Sequence, residues 1–363
     1  MPTTHDEHLT ADELHAMLRL RGIEITPDSP LFGLPKPARE VRREALDARG
    51  LLDGVWGGVL EALRSPSRCF RTIVPSASRT AVTAHYGSAA ANASGNGGLV
   101  GCWPENDRMR ISFPYALDDH LRDASALLGA DFVAIRDPFR GDLTPAGLAA
   151  LAAAVDLLRR RLFESLLRRQ AQVSMEMSSQ DLLGTYAEGR SAADARWLVT
   201  LLHLLMPASV PLPERISDDG LRELTRCALL EEVGGAWRAA EPLRRMASYL
   251  KNPLPAIAHE VVALDGRDLR VYRYLIALRG DGPVWTLLFE RDAEGGPRIA
   301  LRSRTGAGYR KALAEILEPA YAAPGPAAAP EAKPQPQPRR CTKCGAPIRD
   351  DHAFCTKCGQ RQG

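Results

Sequence analysis

Leu46-Asp47-Ala48-Arg49-Gly50-Leu51-Leu52-Asp53 is answered 178 positions later by Leu224-Thr225-Arg226-Cys227-Ala228-Leu229-Leu230-Glu231. The first string runs on into Gly54-Val55-Trp56-Gly57-Gly58, the second into Glu232-Val233-Gly234-Gly235. Each begins downstream of a proline-rich stretch, Leu34-Pro35-Lys36-Pro37 in one case and Pro207 to Pro213 in the other. Each then leads through a helical stretch to a β-rich one. A body written twice predicts an α+β fold of two pseudo-symmetric halves, each an antiparallel sheet with flanking helices.

Alternation and β-branched or aromatic content place four strands in each copy. In the first they fall at 71–74, 80–86, 99–103 and 109–113, and in the second at 258–264, 269–278, 284–290 and 298–302. Asp265-Gly266 is a hairpin signal between the first two strands of the second copy. Asp281-Gly282-Pro283 and Glu294-Gly295-Gly296 mark its next two turns. A closing helix is expected after each sheet, at 117–128 and 309–317.

Between the copies a helix is predicted from Thr144, a good N-cap followed by proline, to about Val173. Leu148, Leu151, Val155, Leu158, Leu162 and Leu166 form its apolar stripe. Arg159, Arg160, Arg161, Arg168 and Arg169 crowd its second half. They read as a solvated face near a helix C-terminus, with an anionic-surface contact as the functional alternative. A second helix is expected over 191–205, with Ser191 and Asp194 as a capping-box variant. The resulting organisation is a first half over 1–140, a central helical segment over 141–206 and a second half over 207–320.

Residues 321–340 are rich in proline and alanine and hold almost no large apolar side chain, so they read as an extended tether. A ligand for an SH3-type domain is the other meaning of such a tract. Beyond it, in 341–363, Cys341-Thr342-Lys343-Cys344-Gly345 is repeated as Cys355-Thr356-Lys357-Cys358-Gly359. Two residues between cysteines let one tight turn aim both thiolates at a common point. Cys341, Cys344, Cys355 and Cys358 therefore match one tetrahedral structural Zn²⁺. Iron bound by four sulfurs is the minor alternative. The segment is too short for a core of its own, and metal binding can offset its chain entropy. Four protein ligands leave no position for water or substrate, so the metal is expected to be structural.

Composition is that of an ordinary globular chain, 45% hydrophobic and 25% charged. The formal charge of +3, reduced to about +1 by four thiolates and one Zn²⁺, demands neither nucleic acid nor membrane. Cys69, Cys102 and Cys227 are scattered, which suits a reducing compartment better than a disulfide framework. The N-terminus is polar and acidic, without a signal peptide, and the longest apolar run, 197–206, is too short to span a bilayer. A cytoplasmic location is expected.

Catalytic patterns are absent: no nucleophile elbow, no His-Glu-x-x-His, no dinucleotide fingerprint after a strand. His85, His120, His203 and His259 read as core or edge histidines. Asp118-Asp119 and Glu231-Glu232 are adjacent pairs that do not share a helix face. Trp56, Trp103, Trp237 and Trp285 read as core packing. The protein is expected not to be an enzyme.

The repeated α/β unit, its helices and the string Ala45 to Asp53 resemble the actinobacterial type VII (ESX) secretion chaperone family over residues 9–320. The resemblance implies a pseudo-twofold pair of subdomains that holds the tip of an exported helical hairpin protein and keeps it soluble. By place and composition, Gly87, Asn92, Gly95, Asn96, Gly97 and Gly98 fall where that family has a long mobile hairpin loop, a candidate partner-binding element. The zinc knuckles and the proline tract are additions to the family's pattern. The expected function is a non-catalytic protein-binding adaptor or secretion-chaperone-like protein, its partner unidentified. The alternative is a nucleic-acid-associated regulator working through Arg339, Arg340, Lys343, Arg349, Lys357 and Arg361.

Overall fold

A computed structural model describes residues 5–27, 29–75, 80–87, 99–130, 135, 138–170, 173–192, 194–250, 255–265 and 268–321. The chain divides into two units, Met1–Ala323 and Pro324–Gly363; the second lies outside the described residues.

The first half opens with β1 (His5–Thr10) and α1 (Ala11–Leu20), joined by a capping box in which Thr10 and Glu13 bond each other's backbone N–H. Then come α2 (Arg43–Asp47), α3 (Gly54–Arg64) and a meander of β2 (Arg68–Pro75), β3 (Thr80–Gly87), β4 (Leu99–Glu105) and β5 (Arg108–Tyr115). Helix α4 (Leu117–Leu128) closes it. The second half repeats the plan with β6 (Arg140–Leu143) and α5 (Pro145–Leu167), then an insertion of β7 (Glu176–Met177), α6 (Ser179–Ser191) and α7 (Leu198–Leu205). Helix α8 (Asp218–Arg226), a hairpin of β8 (Leu230–Val233) and β9 (Ala236–Ala239), and α9 (Glu241–Tyr249) follow. Strands β10 (Ala256–Asp265), β11 (Asp268–Arg279), β12 (Val284–Arg291) and β13 (Pro297–Arg304) precede the closing α10 (Gly306–Tyr321).

The two predicted sheets are one. A ten-stranded sheet runs β1-β5-β4-β3-β2-β10-β11-β12-β13-β6, and β7-β9-β8 form a small second sheet. In each half the opening strand pairs antiparallel with the last strand of the meander. The halves join where β2 lies antiparallel to β10, with Thr72 opposite His259. That topology carries the pseudo-twofold relation predicted from the repeated string.

The string itself has one geometry in both copies. The N–H of Leu51 bonds the carbonyl of Leu46 at 3.0 Å, and that of Leu229 bonds Leu224 at 2.9 Å. All four leucines are buried. Before the second leucine the backbone turns left-handed, at Gly50 (φ +67) and Ala228 (φ +55). A side chain in that conformation costs about 1–2 kcal/mol. Ala228→Gly is therefore expected to stabilise the protein by roughly 0.5–1 kcal/mol, net of the added unfolded-state freedom; a lower urea midpoint for the variant would contradict this. After the string the copies diverge. Gly54 opens a helix, whereas Gly234 and Gly235, both at positive φ, turn the β8–β9 hairpin.

One face of the sheet is covered by α4 and α10, which pack over Phe70, Leu99, Ile257, Val261, Leu275 and Ala277. The opposite face buries α1–α3 in the first half and α5–α9 in the second. Among the described residues no helix is long and apolar enough to cross a membrane.

The expected helix over 191–205 is corrected. Ser191 ends α6, whose capping box is Ser178 with Asp181. Asp194 instead pairs with Arg196 at 2.7 Å, and α7 starts only at Leu198 without a local side-chain cap. Its first N–H groups are taken by Asp156 of α5, which accepts from Leu198 at 2.9 Å and Val199 at 3.0 Å. A cap supplied by another helix leaves no trace in the local sequence.

Candidate functional site

Three histidines that are far apart in the chain converge beneath α4 and α10. His259 and Thr72 share the face of β10 and β2 that carries Ile257, Val261 and Phe70. His85 comes from β3, and His120 from the first turn of α4. His120 and Tyr309 hold matching positions, each making the first backbone hydrogen bond of its closing helix. His259 Nε2 lies 2.8 Å from the Tyr309 hydroxyl and its Nδ1 3.5 Å from Thr72 Oγ1, which is 3.4 Å from His120 Nε2. The His120 ring stands edge-on to Phe70 at 4.2 Å and to His85 at 5.2 Å, and His85 stacks on Tyr115 at 4.2 Å.

All three imidazoles are buried. Burial pushes His85 down to about 4 and His259 to about 3. For His120 burial again acts first, and repulsion from His85 and His259 lowers it further. The rings are neutral at pH 7 and well removed from the protonation balance a general acid or base needs there. The expectation of core histidines holds for these three; His203 is exposed on α7. What the sequence did not show is that the three meet.

The remaining candidates are placed as follows. Gly87 ends β3, while Asn92, Gly95, Asn96, Gly97 and Gly98 lie outside the described residues. Asp119 accepts from the N–H of Ala116 at the start of α4, and Glu231 and Glu232 sit on β8. Trp56, Trp237 and Trp285 are buried; Trp103 is half-buried under the Arg110 guanidinium, 5.2 Å from its ring.

The arginine row on α5 is not a solvated face throughout. Arg159 is buried and bonds Asp156 at 2.8 Å. Arg160 bonds Glu188 at 2.7 Å, and Arg161 bonds Asp181 and the carbonyls of Ser174 and Glu176. These three tie α5 to α6 and to the segments that flank it. Arg168 and Arg169 are exposed.

Among the described residues no group of three or more His, Cys, Asp or Glu side chains could hold a metal ion. The four tail cysteines lie outside them. The zinc-ribbon domain family matches residues 340–361, the span that contains Cys341, Cys344, Cys355 and Cys358. The C-terminus is a zinc ribbon. Zinc binding follows from that membership, and four soft thiolates in two Cys-x-x-Cys pairs are the donor chemistry zinc takes in such ribbons. Comparison of the chain with curated proteins finds no match.

Proposed function

We propose that the protein is a non-catalytic protein-binding adaptor, chaperone-like in its paired α/β body, with one structural Zn²⁺ held in the ribbon by Cys341, Cys344, Cys355 and Cys358. The observation that carries this reading is the far end of α5. Along most of its length the helix is buried, yet Phe163, Leu166 and Leu167 are 43%, 66% and 85% exposed. Their i, i+3, i+4 spacing puts them on one face. Contiguous large apolar side chains on a surface mark a contact site for another protein. The resemblance to secretion chaperones supports the same class of partner, an apolar helical segment kept soluble. The neutral, buried histidines support a body without acid–base chemistry.

Capture from native lysate tests it. The full chain is expected to retain a stoichiometric protein partner, and a Leu166→Glu, Leu167→Glu variant with unchanged melting temperature is expected to lose it. Recovery of no such partner, or equal recovery by the variant, overturns the proposal. A gel shift at low salt separates the nucleic-acid alternative, because affinity there that falls steeply with added salt would move the function to the basic residues of the ribbon.

A further inference from the structure

The histidine cluster sits where the two halves meet, and its members come from both. His85 and His120 belong to the first half, His259 and Tyr309 to the second, and Thr72 bridges them across the β2–β10 pairing. Nδ1 of His85 and Nδ1 of His120 are buried without a hydrogen-bond partner among the described residues. The cluster is assembled for uncharged rings.

Among the described residues no carboxylate pairs with any of the three rings. On the same face β2 offers the cation Arg68 beside Phe70 and Thr72, and β11 offers the cation Arg273, which bonds the Glu315 carbonyl of α10. There too β4 offers Trp103, and β5 offers Tyr115, whose hydroxyl bonds Asp123 of α4 at 2.5 Å. Asp119 of α4 is occupied by Arg122 at 2.6 Å. From α10 come Tyr309 and the cation Arg310, which bonds Ser125 of α4. Another cation, Arg279, bonds the carbonyl of Gly129 just beyond α4. Glu260, the carboxylate next to His259 in sequence, points to the other side of the sheet and pairs with Arg71 at 2.7 Å.

We propose that this cluster is an acid-sensitive joint between the halves, and that proton uptake by His85, His120 and His259 loosens the β2–β10 seam and releases α4 and α10 while the outer strands stay paired. The folded-state values lie below the ordinary 6.5 of a histidine, so the opened joint binds protons that the closed joint refuses. The joint is at full strength above about 6.5 and weakens as pH falls from there toward 4. Within that window each histidine multiplies the opening constant by up to about tenfold per pH unit.

Hydrogen exchange on the full chain at pH 6 and pH 5, with labelling times scaled for intrinsic exchange, reads this directly. Peptides from β2, β10, α4 and α10 are expected to gain exchange by about two to three orders of magnitude relative to β12 and β13. The His85→Phe, His120→Phe variant is expected to keep only the response of His259, at most about tenfold. Equal protection of seam and outer strands at both pH values, or a full response in the variant, overturns the joint. Should the variant not fold, the ring resonances of the unaltered chain decide. Three rings that stay neutral until the seam opens support the proposal, and rings that titrate near 6.5 in a closed seam overturn it.

Discussion

Cys355→Ser chains are expected to carry no zinc where the unaltered chain is expected to carry one per molecule, and to lose the fold of the ribbon with it. A span of this size buries too little apolar surface to fold unaided, so metal binding and folding are one event. Structural zinc in comparable small modules contributes on the order of 10–16 kcal/mol at neutral pH. Removing one of four thiolates leaves an incomplete shell, and serine is a harder and far less acidic donor. Metal analysis of purified protein gives the stoichiometry, and amide resonances of 341–358 give the fold. Zinc retained at one per chain in the variant, with dispersed amide signals, would remove Cys355 from the ligand set.

The second large effect lies inside the body. Asp156→Ala is expected to destabilise the protein by about 3–5 kcal/mol, because it takes the carboxylate from the buried Arg159 guanidinium, which keeps the Arg196 carbonyl, and the acceptor from two buried N–H groups of α7. The Asp156 and Arg159 side chains are 2% and 8% exposed. The carboxylate accepts three bonds, from Arg159 and from the N–H groups of Leu198 and Val199 that open α7. Burial still pushes the Asp156 carboxyl above its ordinary value, against the pull of those partners. Replacing the pair whole, Asp156→Leu with Arg159→Met, removes the stranded charge but still leaves the N–H groups of Leu198 and Val199 without their acceptor, so it should recover only part of the loss. Urea unfolding of both variants checks this. A loss below about 1 kcal/mol for Asp156→Ala would mean that the pair is no stronger than a surface one.

The strands of both meanders could be read from the chain because a half-buried strand alternates and its turns use glycine, proline and aspartate. Closing helix α4 was read to its last residue for a similar reason, since its apolar face repeats at helical spacing and Gly129 ends it in the left-handed conformation. The opening strands β1 and β6 went unseen. Both are sheet edges, and both carry paired charges: Asp6 with Arg110, Glu7 with Arg49, and Asp142 with Arg298 and Arg302. Charge on an edge discourages pairing with other chains, and it makes the strand look like a polar loop.

The candidate sites divide in the same way. A zinc ribbon is legible because its cysteine pairs are close in sequence and their chemistry is specific, and the family match over 340–361 falls on the span that holds Cys341, Cys344, Cys355 and Cys358. The repeated leucine string announced two halves because a buried helix stop needs the same residues wherever it recurs. Only the tertiary structure joined those halves into one sheet, capped α7 with Asp156 from another helix, and brought His85, His120 and His259 together. These contacts depend on register and packing between segments far apart in the chain, and no local pattern of residues encodes that distance.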